Sequence, residues 1–194
     1  MRSLPVLISI SLAACGGAAT RGVRLSDPPR APVPADIDRG ELTFDGARGV
    51  KLYAQHWRPK TGDVKAVVVI HHGLADHSAR YAGFAERLVR AGYAVWALDM
   101  RGHGRSGGRR ITFDRIDELT GDLDTFVALV RAKEPGKKLF LFGHSLGGLI
   151  ATLYAIDRQP ALAGVITSAP GIAFDAPPLQ AAVIRLVAGV APNA

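Results

Sequence analysis

One stretch of the sequence decides the fold: Lys138-Leu139-Phe140-Leu141-Phe142-Gly143-His144-Ser145-Leu146-Gly147. Its apolar run without alternation favours a strand that is buried on both faces. Apolar residues at helical spacing follow and predict a helix from Leu149 to Asp157. A serine between a buried strand and a helix, with Gly143 and Gly147 on either side, indicates a sharp turn where strand and helix approach closely.

Strand and helix patterns alternate on both sides of this stretch. Alternating residues in Glu41–Phe44 and Lys51–Trp57, around a Gly-rich turn, predict an antiparallel hairpin at the start of the fold. Further strands are predicted at 66–70, 93–98 and 164–168. Helices are predicted before Gly92, where Tyr81, Phe84 and Leu88 fall at helical spacing, and at about 114–132, with an apolar face of Ile116, Leu119, Leu123, Phe126 and Val130. Such alternation predicts an α/β fold, a mostly parallel sheet with helices on both faces. Ligands of such sheets bind at the carboxyl ends of the strands.

Composition narrows the class of protein. The 194 residues are 48% hydrophobic and 21% charged, which excludes disorder throughout and predicts one domain with a modest extra segment. The net charge of +7 comes from scattered basic residues, so no nucleic-acid partner is predicted. A single cysteine excludes a disulfide framework and a paired-cysteine metal site, and neither phosphate-binding glycine pattern is present. We therefore predict no cofactor and no metal.

The first residues indicate export. Arg2 precedes an apolar run from Leu4 to Ala14, which is too short to span a bilayer and has the length of a signal-peptide core. Leu12-Ala13-Ala14-Cys15 resembles the lipobox of bacterial lipoproteins, and this implies that Cys15 is acylated after cleavage of residues 1–14. A plain secretory signal or a misassigned start codon is the alternative. The prediction is a protein exported from a bacterial cytoplasm and anchored to the cell envelope by lipid on Cys15, with residues 15–38 as a disordered Pro/Gly/Ala-rich tether.

The predicted chemistry is acyl transfer through Ser145. A strained turn lifts the serine Oγ out of the sheet above the positive end of the following helix, which suits a nucleophile that forms an acyl-enzyme. The tetrahedral intermediate needs two backbone N–H donors for its oxyanion. We assign one to Leu146 and the other to Leu74, which follows His72 and Gly73 in the loop after the first buried strand.

Three segments carry a resemblance to a known family: His72 to Tyr81, Asp99 to Gly107, and Gly143 to Gly148. They resemble the monoacylglycerol lipase and lysophospholipase branch of the α/β-hydrolase superfamily, a serine aminopeptidase-like hydrolase domain. The resemblance implies hydrolysis of a lipid monoester by an α/β-hydrolase core, here residues 39–175. It also implies a helical lid that begins in residues 176–194. The alternative interpretation of the apolar run Leu179–Val190 in this segment is a helix of the core.

The sequence departs from this family after the serine. The family places a triad acid and then a histidine roughly one hundred or more residues beyond the nucleophile. No histidine follows Ser145, and neither Asp157 nor Asp175 ends a later strand. We expect the upstream histidines, His56, His71, His72, His77, His103 and His144, to be structural rather than a general base or metal ligands. The expectation is an amino-terminal portion of the hydrolase fold, truncated before its last strands and inactive alone.

Other reactions remain open for a serine with these two oxyanion donors. A peptidase, a thioesterase or an acyltransferase uses the same serine and oxyanion donors. A non-catalytic, degenerate lipoprotein is the alternative from another class.

Overall fold

The computed structural model describes residues 32–158 and 161–172 of the chain. Within these residues the strands are β1 (Ile37–Asp45), β2 (Lys51–Pro59), β3 (Val67–His71), β4 (Ala94–Leu98), β5 (Leu139–His144) and β6 (Gly164–Ser168). The α-helices are α1 (Ala82–Arg90), α2 (Ile116–Lys133) and α3 (Leu146–Arg158), and short 3-10 turns occupy Ala47–Gly49 and Ser78–Tyr81.

The strands form one sheet in the order β1-β2-β4-β3-β5-β6. Strand β2 pairs antiparallel with β1 on one side and with β4 on the other, whereas β4, β3, β5 and β6 pair in parallel. The predicted hairpin is confirmed, because β1 and β2 pair along their whole length and the Gly46 N–H closes the turn by donating to the Val50 carbonyl oxygen at 2.8 Å. The predicted α/β class with a mostly parallel sheet is also confirmed.

Helices cover both faces of this sheet. Side chains of α2 and α3 pack with one face in a large core cluster that includes Leu123, Phe126 and Tyr154. On the other face α1 packs in a smaller cluster around Trp57 and Ile70. All five residues of β3 and all five of β4 are buried, as the unbroken apolar runs predicted.

Two element boundaries differ from the sequence prediction. Strand β1 begins at Ile37, inside the segment predicted to be a tether, because Ile37 pairs in register with Pro59 and is only 2% exposed in the core. Helix α3 begins at Leu146, three residues earlier than the apolar spacing indicated. Gly147 and Gly148 are poor helix formers, but they lack the side chains that would keep the first turn of the helix from the sheet.

Two predicted face residues lie outside the core. Phe84 is 38% exposed and contacts the ring of Phe142, with 5.2 Å between centroids, while Ala85 and Val89 form the buried face of α1. Ile116, the first residue of α2, is 41% exposed.

Several predictions concern residues outside the described ranges. They are the signal peptide at 1–14, the acylated Cys15, residues 15–31 of the tether, Asp175 and the lid beginning at 176–194. Within residues 32–158 and 161–172, we find no helix with the length and apolarity needed to cross a bilayer.

Candidate active site

Ser145 occupies a strained turn between β5 and α3. Its φ is 51°, in the left-handed region that a side-chain-bearing residue rarely adopts. The Ser145 N–H donates to the Ser168 carbonyl oxygen at 2.9 Å, and the Ser145 carbonyl oxygen accepts from Gly148 at 2.9 Å and from Leu149 at 3.1 Å. The end of β6 and the first turn of α3 thus hold the serine from opposite sides, and the predicted strand–turn–helix geometry is present.

The two glycines beside Ser145 are required by close packing. A Cβ on Gly143 would lie 2.3 Å from the Gly147 carbonyl oxygen, and one on Gly147 would lie 2.2 Å from the His71 carbonyl oxygen. Both distances are far below van der Waals contact, so any side chain would push α3 away from β3 and β5. This packing keeps the amino terminus of α3 directly behind the serine, where the partial positive charge of the helix end favours a developing anion.

The loop after β3 lies against Ser145, as the sequence predicted for the oxyanion loop. A Cβ placed on Gly73 would be 3.2 Å from the Ser145 Cβ and 3.3 Å from the His144 carbonyl oxygen. The backbone of Gly73 therefore approaches the serine so closely that a side chain there would crowd it. Leu74, the next residue, is 52% exposed.

The backbone amides of Leu74 and Leu146 are both uncommitted. No acceptor among the described residues takes a hydrogen bond from either N–H. Leu146 is the first residue of α3, where the amide has no acceptor within the helix. Two uncommitted donors thus follow the two residues that meet, Ser145 and Gly73, and such donors suit an oxyanion.

His72 holds the oxyanion loop in place. Its Nε2 accepts from the Met100 N–H at 2.9 Å, and because that nitrogen is an acceptor, the proton is assigned to Nδ1, which donates to the Gly73 carbonyl oxygen at 2.7 Å. This bond orients the Gly73–Leu74 peptide, whose N–H is the predicted donor. Burial lowers the pKa of His72 to about 4, so the ring is neutral near pH 7. Both ring nitrogens are engaged, which leaves His72 no lone pair for a proton from Ser145.

Four other histidines, His56, His71, His103 and His144, lie in structural positions, whereas the backbone N–H of His77 donates to the Asp76 Oδ1 at 2.8 Å. His71 ends β3 fully buried, and burial lowers its pKa to about 3. The His144 Nδ1 lies 3.3 Å from the Ser168 Oγ, and the His56 ring stacks on Trp96 with 4.5 Å between centroids. The buried ring of His103 lies 5.4 Å from that of His72.

A carboxylate joins the two loops at this edge of the sheet. Asp99 is 2% exposed and accepts from the backbone N–H groups of Ser78 and Arg105, at 2.7 and 2.8 Å. These bonds connect the loop after β3 with the loop after β4. Asp99 thus has a structural role at this site.

No triad partner lies beside the serine in the described residues. No side chain there hydrogen-bonds to the Ser145 Oγ, and Asp157 lies on the exposed end of α3, about three turns from the serine. Within the same ranges no group of three histidine, cysteine or acidic residues could hold a metal ion.

Sequence reasoning missed three contributors to this geometry, Ser168, Gly171 and Met100. Ser168 and Gly171 reach Ser145 through backbone atoms, the Gly171 N–H donating to the Ser145 carbonyl oxygen at 3.2 Å. Met100 fixes the ring of His72 through its amide alone. Backbone contacts between distant segments leave no trace in residue type, so no sequence signal could have found them.

Comparisons with known proteins agree with this arrangement. Residues 62–194 match the family model described as serine aminopeptidase S33, Hydrolase_4. A monoacylglycerol lipase of Mycolicibacterium smegmatis is 36% identical over 157 residues, which are 80% of this chain and 56% of the lipase.

Solved structures show the same likeness. A monoacylglycerol lipase of Paleococcus ferrophilus superimposes with a TM-score of 0.57 at 35% identity, over 74% of this chain and 53% of that one. A soluble variant of the monoglyceride lipase of Saccharomyces cerevisiae, in complex with a substrate analogue, gives a TM-score of 0.68 at 25% identity, over 87% of this chain and 57% of that one. The chain spans about half the length of the relatives it matches.

Proposed function

The chain belongs to the serine aminopeptidase S33 family of hydrolases, and from this membership we propose that it carries the nucleophile and the oxyanion hole of a serine ester hydrolase. The proposed substrate is a lipid monoester, a monoacylglycerol or a lysophospholipid. The observation that supports this most strongly is Ser145, held at a φ of 51° beside the uncommitted amides of Leu74 and Leu146.

In the proposed reaction the Ser145 Oγ attacks the ester carbonyl carbon. The carbonyl oxygen becomes an oxyanion that accepts from the N–H groups of Leu74 and Leu146, and each such donor stabilises the transition state by about 3 kcal/mol. The tetrahedral intermediate expels the alcohol, which takes up a proton, and leaves an acyl-enzyme on Ser145. Water then attacks the acyl carbon and releases the fatty acid.

This cycle needs a general base to take the serine proton. His72 is engaged at both nitrogens, and no histidine follows Ser145 in the 194 residues. Loss of a triad member typically lowers kcat by a factor of about 10⁴ to 10⁶, and the residual catalysis comes from the oxyanion hole. We therefore expect ester hydrolysis by the 194-residue chain alone to be near background.

The choice of substrate rests on the relatives. The lipases of M. smegmatis and P. ferrophilus are named for monoacylglycerol, and both are at least 35% identical to this chain where they match. The family description names an aminopeptidase, which makes peptide hydrolysis the second candidate. The same serine and oxyanion donors serve both reactions, so only a comparison of substrates separates them.

We further propose that the protein acts at a membrane. A lipid on Cys15 would anchor it to the bacterial cell envelope, where lipid monoesters are found. The support for this anchor is the Leu-Ala-Ala-Cys pattern after a short apolar run.

A fusion protein tests the function. The part of the M. smegmatis lipase that follows its matched residues is joined to the carboxyl end of this chain, so that a triad acid and histidine are supplied. The fusion is assayed with monoacylglycerol, lysophosphatidylcholine and an aminoacyl anilide, and its serine is labelled with a fluorophosphonate. We expect monoacylglycerol or lysophospholipid hydrolysis and labelling, both lost in Ser145→Ala.

The unfused chain and its Ser145→Ala variant are the controls. Ser145-dependent hydrolysis by the unfused chain would show that it already contains a base. A folded fusion, verified by circular dichroism, that hydrolyses no ester and resists the fluorophosphonate would contradict the proposal. Hydrolysis of the anilide alone would favour the peptidase.

A further inference from the structure

The loop between β4 and α2 is rich in arginine and lies at the end of the sheet that carries Ser145. It leaves the carboxyl end of β4, and Ser145 follows the carboxyl end of β5, so both lie at the same edge of the parallel strands. From Met100 to Arg115 the sequence has five arginines and one acidic residue, Asp114. We call residues 100–115 the arginine loop.

Part of this charge is neutralised within the protein. Arg101 forms an ion pair with Asp122, Arg105 with Glu41 and Arg115 with Asp117. Arg110 differs, because its guanidinium donates to the Gly104 carbonyl oxygen at 2.9 Å and no carboxylate among the described residues pairs with it. Arg109 and Arg110 are both exposed side by side. The tip of the loop therefore presents positive charge to solvent.

Apolar side chains project beside these arginines. Ile111 is 54% exposed and Ile116 is 41% exposed. Ile111 has a φ of 53°, which is unusual for a β-branched residue, and its N–H donates to the Gly102 carbonyl oxygen at 3.1 Å. The loop is thus closed by its own backbone with an isoleucine turned outward, although a polar residue or glycine would adopt the same backbone with less strain.

A groove beside the loop adds to this surface. It has a volume of about 240 Å³, and the arginines Arg48, Arg101 and Arg109 line it together with the apolar residues Val50 and Phe113. Glu118 also lines the groove and pairs with Arg48 and Arg101. Asp114 lines the groove as well. The guanidinium of Arg109 beside these apolar walls suits a ligand that carries a phosphate next to hydrocarbon.

We propose that the arginine loop docks the protein on an anionic lipid surface. Arg109 and Arg110 contact phosphate groups of the lipid, and Ile111 enters the boundary between headgroups and acyl chains, the arrangement that favours interfacial binding. Docking in this way brings the edge of the sheet that carries Ser145 to the membrane. The inference goes beyond the proposed hydrolysis, because it rests on charge and exposure and requires no turnover.

Vesicle sedimentation tests the proposal on the full chain with Cys15→Ser, so that no acyl anchor forms. Vesicles of phosphatidylcholine alone are compared with vesicles that contain phosphatidylglycerol, at low and high salt. We expect tighter, salt-sensitive binding to the anionic vesicles. Arg109→Glu/Arg110→Glu should weaken that binding by about thirtyfold or more, since the loss of each arginine near such a surface lowers the affinity about fivefold. Ile111→Ser should weaken it severalfold.

Matched variants separate the loop from net charge and general apolarity. Lys137→Glu/Lys138→Glu makes the same charge change at two exposed residues before β5, at the amino-terminal end of the parallel strands. Ile156→Ser removes an isoleucine that is 63% exposed on α3. Both should bind like the parent, and circular dichroism verifies that every variant is folded. Parental binding by the loop variants, or an equal loss in the lysine variant, would overturn the proposal, whether or not Ser145 proves to be a nucleophile.

Discussion

Acid should destabilise this fold through two adjacent buried histidines. His71 and His72 are both fully buried, and burial, by disfavouring the charged imidazolium, lowers their pKa values to about 3 and about 4. In the unfolded chain each pKa returns to about 6.5. At pH 5 the unfolded chain therefore binds about two protons that the folded protein does not bind.

The sign and size of the effect follow from this difference. A histidine whose pKa is lowered by folding contributes stability that is fully present above pH 6.5 and is lost as the pH falls toward the folded value. Between about pH 7.5 and about pH 5, each histidine lowers the free energy of unfolding by about 2 kcal/mol, so the pair lowers it by about 4 kcal/mol. Since whole domains are stable by about 5–15 kcal/mol, this is a large fraction.

Urea unfolding at these two pH values measures the loss. Trp57 and Trp96 are 1% and 3% exposed, so their fluorescence reports the transition. His71→Leu removes one of the two proton sites. The only hydrogen bond lost from the ring is the one between Nδ1 and the His72 carbonyl oxygen at 3.3 Å, because the buried Nε2 has no hydrogen-bond partner. We expect the pH-dependent loss to shrink by about 2 kcal/mol in this variant. If parent and variant lost the same free energy of unfolding between the two pH values, the reasoning from burial would be refuted.

Two further predictions concern the oxyanion loop and the anchor. In the fusion enzyme, Gly73→Val should lower kcat about a hundredfold or more, because even its Cβ would meet Ser145 at 3.2 Å and displace the Leu74 donor. Gly83→Val, which has open space around it, is the control, and unchanged activity of a folded Gly73→Val enzyme would exclude Leu74 as the donor. In a bacterial host, the wild-type chain should incorporate a fatty-acid probe and Cys15→Ala should not; equal labelling of the two would contradict the anchor.

Local pattern was enough to predict most of the architecture. The unbroken apolar runs of β3 and β4 indicated strands buried on both faces, and the glycines around Ser145 indicated the turn that joins β5 to α3. The run of β5 indicated the same burial, but its residues alternate between buried and half-buried. These inferences succeed because strand burial and turn geometry depend on residues within a few positions of one another. The helical spacing wrongly placed Phe84 and Ile116 on buried faces, because spacing shows which residues share a face of a helix but not which of them the rest of the fold covers.

The sequence predicted one part of the site, and the tertiary structure decided the other. The sequence alone singled out Ser145 and the loop at Gly73, because small residues in a strand–turn–helix pattern have few other uses. Only the folded chain placed Gly73 against a serine 72 positions away, and only it paired both nitrogens of His72 with Met100 and Gly73. The physical reason is that the contacts of Gly73 with Ser145 and of His72 with Met100 join loops that follow separate strands. Which amides meet depends on strand order and register, and these are properties of the packed sheet rather than of any one segment.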